Sequence, residues 1–166
     1  MERPSFIGNY KDFMGEDDSH YPESAELMSF GAPIGKKLGL QKIGIHVELI
    51  YPGRRTSWPH AESKEEEFAF VLEGNPDVWI DGHLHSLVPG DFVAFPSGTG
   101  IAHTFLNNTD KNVLLLVGGE ANKADNKIVY PLNPEASERL KKQDCLWEDP
   151  PKHELGPHDG RPHRKF

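Results

Sequence analysis

The 166-residue chain carries a formal net charge of -8 and contains a single cysteine, Cys145. Its length fits one domain with a real core, and its acidic balance argues against a nucleic-acid partner, because phosphate binding requires clustered lysines and arginines. One cysteine cannot form an internal disulfide. No apolar run follows Met1, and no stretch approaches the roughly 20 apolar residues of a membrane span. We therefore expect a cytoplasmic protein with no membrane partner.

Residues 1–37 are predicted to form an N-terminal arm. Apolar and aromatic side chains are scattered there among polar and turn residues, namely Phe6, Tyr10, Phe13, Tyr21, Leu27, Met28 and Phe30. So many aromatic side chains require burial, and we therefore predict an arm packed on the rest of the domain rather than a disordered segment.

Residues 38–122 have the pattern of a β domain. Apolar residues alternate with polar ones from Lys42 to Leu49, which is the period of a half-buried strand. Short apolar runs follow, each ended by turn residues; one of these turns, Asp81-Gly82, is a strong hairpin signal. Many short strands at this spacing predict a sandwich or a closed barrel.

Residues 123–166 are predicted to contain one short helix and a tail. The segment 134–142 begins with Pro134-Glu135 and ends with two lysines, which is typical of a helix. From Asp149 onward the chain has no periodic apolar pattern. The tail is therefore either an extended arm or disordered.

Four residues with metal-ligating side chains lie on or near the predicted strands. His60 and Glu62 are two positions apart, so on a strand they face the same way. Glu67 begins an apolar run and His103 begins a later strand, so all four side chains can converge on one divalent ion. Taken singly, each is a weak signal, because a lone histidine is more often a surface or core group and residues 62–67 can be a solvated acidic loop.

The joint spacing resembles the two sequence motifs of the cupin superfamily. The first motif is matched by Gly53, His60-Ala61-Glu62, Glu67 and Gly74, and the second by Gly90, Pro96, Gly98, His103 and Asn107. The resemblance covers roughly residues 42–120 and is to small single-domain cupins of mostly uncharacterised role. It implies an all-β double-stranded β-helix of the jelly-roll type, which is often a homodimer.

The resemblance also implies a metal site with one departure from the family pattern. By position, His60, Glu67 and His103 match family ligands to one divalent ion, which is zinc, manganese, iron or nickel. Glu62 stands where the family usually has its second histidine. As a harder ligand it favours oxygen-preferring metals; the alternative is that the change marks a weakened or empty site.

Three further residues are predicted to line a ligand pocket: Arg54, Trp58 and Phe105. Arg54 has the charge to bind an anionic ligand group, although an ion pair with the acidic loop is the commoner role. Trp58 can stack on a ligand or pack against the arm. His46 lies on the polar face of its strand, which faces either the cavity or the surface.

Two kinds of function agree with these residues. One is a metal-dependent enzyme that acts on a small polar molecule by dioxygenase, isomerase, lyase or decarboxylase chemistry, with Glu62 as a metal ligand or a general base. The other is a small-ligand-binding or sensor protein in which the metal is structural. The fold itself does not decide between them.

Overall fold

The computed structural model describes residues 3–121 and 123–163. The first two residues of the predicted arm, Asn122 and the last three residues of the tail lie outside the described residues. Within that part of the chain, ten strands are β1 (Phe30–Ala32), β2 (Ile43–Ile50), β3 (Ala61–Glu62), β4 (Glu67–Glu73), β5 (Asp77–Ile80), β6 (His83–Ser86), β7 (Phe92–Phe95), β8 (His103–Leu106), β9 (Val113–Glu120) and β10 (Ile128–Val129). The helices are a 3₁₀ helix (Tyr10–Phe13), α1 (Ile34–Lys37) and α2 (Pro134–Lys142). No helix of the described residues combines the length and the apolar character needed to cross a membrane.

The strands form two larger antiparallel sheets that share one core. The first sheet has the order β1-β2-β9-β4-β7, the second has the order β6-β5-β8, and β10 and β3 form a small third sheet. The main apolar cluster takes side chains from both larger sheets: Ile50, Ala69, Val71, Phe95, Val113 and Leu115 from the first, and Val78 and Phe105 from the second. Because the two sheets enclose this cluster between them, the structure confirms the predicted jelly-roll barrel.

Strand β2 has the predicted alternation, but its polar side lies next to a cavity. Gly44, His46 and Glu48 line that cavity. Val47, from the apolar side, is buried and pairs with Ala32 of β1. The predicted arm therefore adds a strand, β1, to the edge of the first sheet beside β2.

Two local predictions are confirmed in detail. At the hairpin between β5 and β6, Asp81 and Gly82 have φ angles of 44° and 89°, as a type I′ turn requires. Helix α2 begins and ends where the sequence predicts, and the side chain of Asn133 caps it by accepting a hydrogen bond of 2.9 Å from the backbone N–H of Ala136.

The tail is extended and is bound to the second sheet. The indole N–H of Trp79 donates to the carbonyl of His158 at 2.8 Å, and the N–H of Gly156 donates to the carbonyl of Asp81 at 2.7 Å. A Cβ atom on Gly82 would collide with the backbone of Gly156. The tail can therefore approach the hairpin this closely because Gly82 has no side chain.

Candidate metal centre

Three of the four predicted metal ligands come together where the two larger sheets meet. His60 forms an isolated β-bridge with His103, and Glu67 begins β4 in the opposite sheet. One potential ligand atom from each residue lies within 4.8 Å of the other two. Glu67 Oε2 is 3.2 Å from His103 Nε2 and 3.7 Å from His60 Nε2.

The backbone fixes which nitrogen of His60 faces this cluster. His60 Nδ1 lies 3.0 Å from the carbonyl oxygen of Trp58, and a carbonyl only accepts, so Nδ1 carries the proton. The lone pair of Nε2 therefore points toward Glu67. Burial, with the neighbouring His103 ring, lowers the pKa of His60, which keeps the imidazole neutral and able to bind a metal.

Glu67 carries a negative charge that its protein neighbours satisfy only in part. Burial acts to raise the pKa of Glu67, but the rings of His103 and His60 outweigh it and lower the pKa overall. Its Oε2 atom is buried, and although His103 Nε2 lies 3.2 Å away, the two atoms do not have hydrogen-bond geometry, so Oε2 has no hydrogen-bond partner among the described residues. A buried carboxylate oxygen without a donor is costly, and a cation beside it removes that cost.

The donor set therefore fits a divalent metal ion. Two imidazole nitrogens and one carboxylate oxygen suit zinc, iron, manganese or nickel. The ring of Phe95 stacks on His103 with a centroid distance of 3.4 Å and an interplanar angle of 5°, which holds the His103 ring in one orientation. Phe95 directly precedes Pro96 of the second motif.

Glu62, the fourth predicted ligand, lies beside this cluster but is not one of its three members. Its Oε2 accepts a hydrogen bond of 2.8 Å from Asn126 Nδ2. Burial and the charge of Glu67 raise the pKa of Glu62 to about 7. Its role as a metal ligand stays a prediction, and its carboxyl group can both take up and release a proton near neutral pH.

Sequence reasoning missed two residues beside Glu62 and His60. Asn126 is 64 positions away from Glu62, and its type and spacing carry no signal. Tyr130 lies with its ring centroid 5.8 Å from that of His60. Burial raises the pKa of Tyr130, so its hydroxyl group stays protonated at neutral pH and can donate a hydrogen bond.

The predicted pocket residues have other partners in the structure. Arg54 forms an ion pair with Asp17 of the arm. Trp58 stacks on Tyr21 with a centroid distance of 4.0 Å. Phe105 lies in the core behind the site, with its ring edge-on to Phe95. The charge of Arg54 is therefore satisfied within the protein, and Trp58 packs against the arm, which is one of the two roles considered for it.

A cavity of about 370 Å³ adjoins the cluster. Glu67 belongs to both the cluster and the cavity wall. The cavity is lined by Gly44, His46, Glu48, Glu65, Glu67, Val117, Gly118, Gly119, Glu120 and Ala121. Its size is within the range of small-molecule sites, and it places His46 on a cavity wall.

Comparison with known proteins agrees with this architecture. Residues 46–118 match the family model described as a cupin domain. The chain is 31% identical to a sugar phosphate isomerase from Silicibacter pomeroyi, with 61% of this chain and 64% of that chain covered and a TM-score of 0.59. It is 30% identical to a candidate sugar phosphate isomerase from Acidithiobacillus ferrooxidans, with coverage of 62% and 65% and a TM-score of 0.59.

A more distant structure has the same fold over more of the chain. The polyketide cyclase RemF from Streptomyces resistomycificus is 16% identical, with coverage of 88% of this chain and 99% of that chain and a TM-score of 0.63. The matched part of this chain spans less than two thirds of the length of both isomerase chains. None of the curated proteins matches the sequence significantly. The motifs, the barrel and these similarities together show that residues 46–118 form a domain of the cupin superfamily.

Proposed function

We propose that the protein is a metal-dependent enzyme of the isomerase type that acts on a small hydroxy-carbonyl compound. The observation that carries the proposal is the position of Glu62. Its carboxyl group is anchored through one oxygen by Asn126 and is close enough to Glu67 to feel the charge of that residue, and Glu67 itself belongs both to the three-donor cluster and to the wall of a cavity.

His60, Glu67 and His103 would hold one divalent ion. When bound, such an ion supplies Lewis-acid polarisation of a carbonyl oxygen and so acidifies the neighbouring C–H group. The chain's own contribution begins with the tautomer of His60, since its Nδ1–H donates to the carbonyl of Trp58. This hydrogen bond keeps the ring oriented toward Glu67 and increases the basicity of Nε2.

Glu62 would move the proton. In an isomerisation of this class, a base takes the proton from the carbon next to the carbonyl and returns it to the former carbonyl carbon, while a hydroxyl proton passes between the two oxygens. Such a reaction needs no external oxidant or other co-reactant. The carboxylate of Glu62 would accept the proton in the first step and return it in the second, so it must be deprotonated only when the substrate binds.

Two kinds of support favour proton transfer over the other chemistries that cupins perform. A carboxyl group that is not one of the three donors remains available to act as the base in proton transfer. In addition, the Silicibacter pomeroyi protein that is 31% identical is a sugar phosphate isomerase. A non-catalytic ligand-binding protein with a structural metal is the competing function, and it requires no base at position 62.

Deuterium exchange separates these two functions. The metal-loaded protein is incubated in D₂O with dihydroxyacetone and glyceraldehyde, and NMR follows the loss of the C–H signals next to the carbonyl. We expect exchange with the unmodified protein and a loss of about 10²-fold or more in the rate with Glu62→Gln, a loss typical of removing a general base. Elemental analysis of both proteins shows whether the metal content is equal.

The matched control is Glu73→Gln, at an exposed position at the end of β4. This variant should exchange at the unmodified rate. Equal exchange in Glu62→Gln would remove Glu62 from the reaction. Metal-loaded protein that binds these compounds without any exchange would support the ligand-binding function instead.

A further inference from the structure

Two paired glycines, Gly44 and Gly119, leave part of the cavity wall beside Glu67 without side chains. Gly44 of β2 pairs with Gly119 of β9, and Gly119 also pairs with Glu67 of β4. A Cβ atom on Gly44 would have no neighbour closer than 3.8 Å, so a side chain fits there without a backbone clash. A Cβ atom on Gly119 would lie 2.6 Å from the carbonyl oxygen of Glu66, so glycine is required there for packing.

One wall of the cavity carries a pair of polar side chains. His46 and Glu48 follow Gly44 on the same side of β2, with His46 Nδ1 3.7 Å from Glu48 Oε1. The other oxygen of Glu48 accepts a hydrogen bond of 2.9 Å from the hydroxyl of Ser29, which fixes the carboxylate. A gap of 3.7 Å is too long for a direct hydrogen bond, and a ligand hydroxyl there can donate to Glu48 and accept from His46.

The charge of the wall determines which ligands it can accept. Among the residues that line the cavity, Glu48, Glu65, Glu67 and Glu120 are acidic and none is a lysine or arginine. Lys123 balances Glu120, and a divalent ion would offset Glu67. Glu48 and Glu65 keep the wall negative even then, so a phosphate group in the cavity meets net like charge. A further cationic side chain, Lys36, lines the neighbouring cavity that shares Gly44 and His46.

We propose that the His46–Glu48 pair recognises a hydroxyl group of an uncharged polyhydroxylated ligand, and that the cavity discriminates against the phosphorylated form of the same compound. The inference rests on the proposed function in that the carbonyl end of this ligand is the end that reaches Glu67. It names a substrate class that differs from the sugar phosphates implied by the names of the two isomerases. His46 and Glu48 bind and position the ligand, while the proton transfer belongs to Glu62.

Matched pairs of probes test this proposal. Dihydroxyacetone, D-erythrose and their phosphate esters are titrated into the metal-loaded protein, and dissociation constants are taken from ¹H–¹⁵N chemical-shift changes. We expect each free sugar to bind about tenfold or more tightly than its phosphate ester. His46→Ala should weaken binding of the free sugar by up to about tenfold, which is the loss of one hydrogen bond. His85→Ala, at an exposed site on β6, should leave binding unchanged.

Two further variants test the space in the cavity and the charge of its wall separately. Gly44→Val adds a side chain to this part of the cavity wall and should weaken binding of the free sugars by about tenfold or more, with unchanged metal content. Glu48→Gln keeps the size and removes one charge, and should reduce the discrimination against the phosphate ester. Tighter binding of the esters by the unmodified protein, no binding of any free sugar, or no effect of Gly44→Val would each overturn the proposal.

The same proteins distinguish this proposal from the proposed function. If the free sugars bind as described but no deuterium exchange occurs, the assignment of the cavity stands and the enzyme assignment fails. If exchange occurs and its KM does not change in His46→Ala or Gly44→Val, the enzyme assignment stands and this inference fails.

Discussion

The Nδ1 atom of His60 lies 3.0 Å from the carbonyl oxygen of Trp58, and the indole of Trp58 is stacked on Tyr21 of the N-terminal arm at a centroid distance of 4.0 Å. The arm therefore supports the residue whose backbone orients a candidate metal ligand. A hydrogen bond to the ring nitrogen that does not bind the metal fixes the tautomer and the direction of a ligating histidine. The site thus depends on residues about 40 positions before it, outside the part of the chain that matches the family model.

The first prediction concerns metal binding. We expect the protein to bind one divalent ion, and we expect His60→Ala and His103→Ala each to weaken binding by about tenfold or more, because each removes a nitrogen donor. Calorimetric titration of the metal-free protein with zinc and manganese measures the affinities. Exposed His85 supplies the control variant His85→Ala. Equal affinity in all four proteins would contradict the assignment of the cluster.

The second prediction concerns the position of Glu62 relative to the metal. Since its carboxylate is bound to Asn126, we expect Glu62→Ala to keep most of the metal affinity that His60→Ala loses. Competition with a chelator measures both variants under one condition. A loss in Glu62→Ala as large as that in His60→Ala would make Glu62 a ligand, as the motif spacing alone suggests.

The third prediction is a pH dependence of stability in the metal-free protein. The native pKa of Glu62, about 7, lies above its ordinary value of 4.5. Between these values the native state binds more protons than the unfolded state, so this group makes the free energy of unfolding fall as pH rises from 4.5 to 7. We expect a contribution of about 1–2 kcal/mol, because the partial exposure of the side chain reduces the effect.

Glu62→Gln isolates that contribution. The lowered pKa of His60 acts in the opposite direction, since the unfolded state then binds the extra proton as pH falls below 6.5, and both proteins share this effect. Glu62→Gln should therefore gain stability relative to the unmodified protein as pH rises through this window. Urea unfolding at pH 5 and pH 8 gives the comparison, and a difference that does not change with pH would rule out the raised pKa.

The fourth prediction compares two neighbouring arginines that hold the arm. Arg55 is buried, makes two hydrogen bonds to Glu26 of the arm, and donates to the carbonyl of Gly160 in the tail at 2.7 Å. Arg54, whose side chain is 19% exposed against 4% for Arg55, pairs with Asp17. We expect Arg55→Ala to lower the free energy of unfolding by about 3 kcal/mol and Arg54→Ala by about 1 kcal/mol or less, as measured by urea unfolding. Equal losses would mean that burial does not set the strength of these pairs.

The fifth prediction concerns assembly. Phe92, on the edge strand β7, is 59% exposed and stacks on Phe68 at a centroid distance of 5.3 Å. Exposed aromatic side chains on an edge strand favour association, and we expect a homodimer through the outer face of the first sheet. Light scattering at micromolar concentration should give twice the chain mass, and Phe92→Asp should give the monomer. Leu155→Asp, at another exposed apolar residue, serves as the control, and a monomeric unmodified protein would contradict the prediction.

Much of the fold can be predicted from local sequence patterns. The Asp81-Gly82 turn, the helix that Asn133 caps and the alternation along β2 are all readable from neighbouring residues, because turn geometry, capping and strand period depend on a few consecutive positions. The three members of the cluster were also predictable, since the spacing of two motifs specifies them. The pairing of β1 with β2 was not, because a three-residue strand has too little period to detect.

Contacts between distant segments of the chain were decided only by the tertiary structure. The alternation of β2 indicated two faces, but it could not show that His46 and Glu48 line a cavity while Val47 is buried beside β1. Likewise, Glu62 has the spacing of a ligand, but its carboxylate is held by Asn126, 64 residues later. The pairing of β10 with β3 brings these two residues together. Sequence period determines which side chains share a face, and closure of the sheets determines what each face meets.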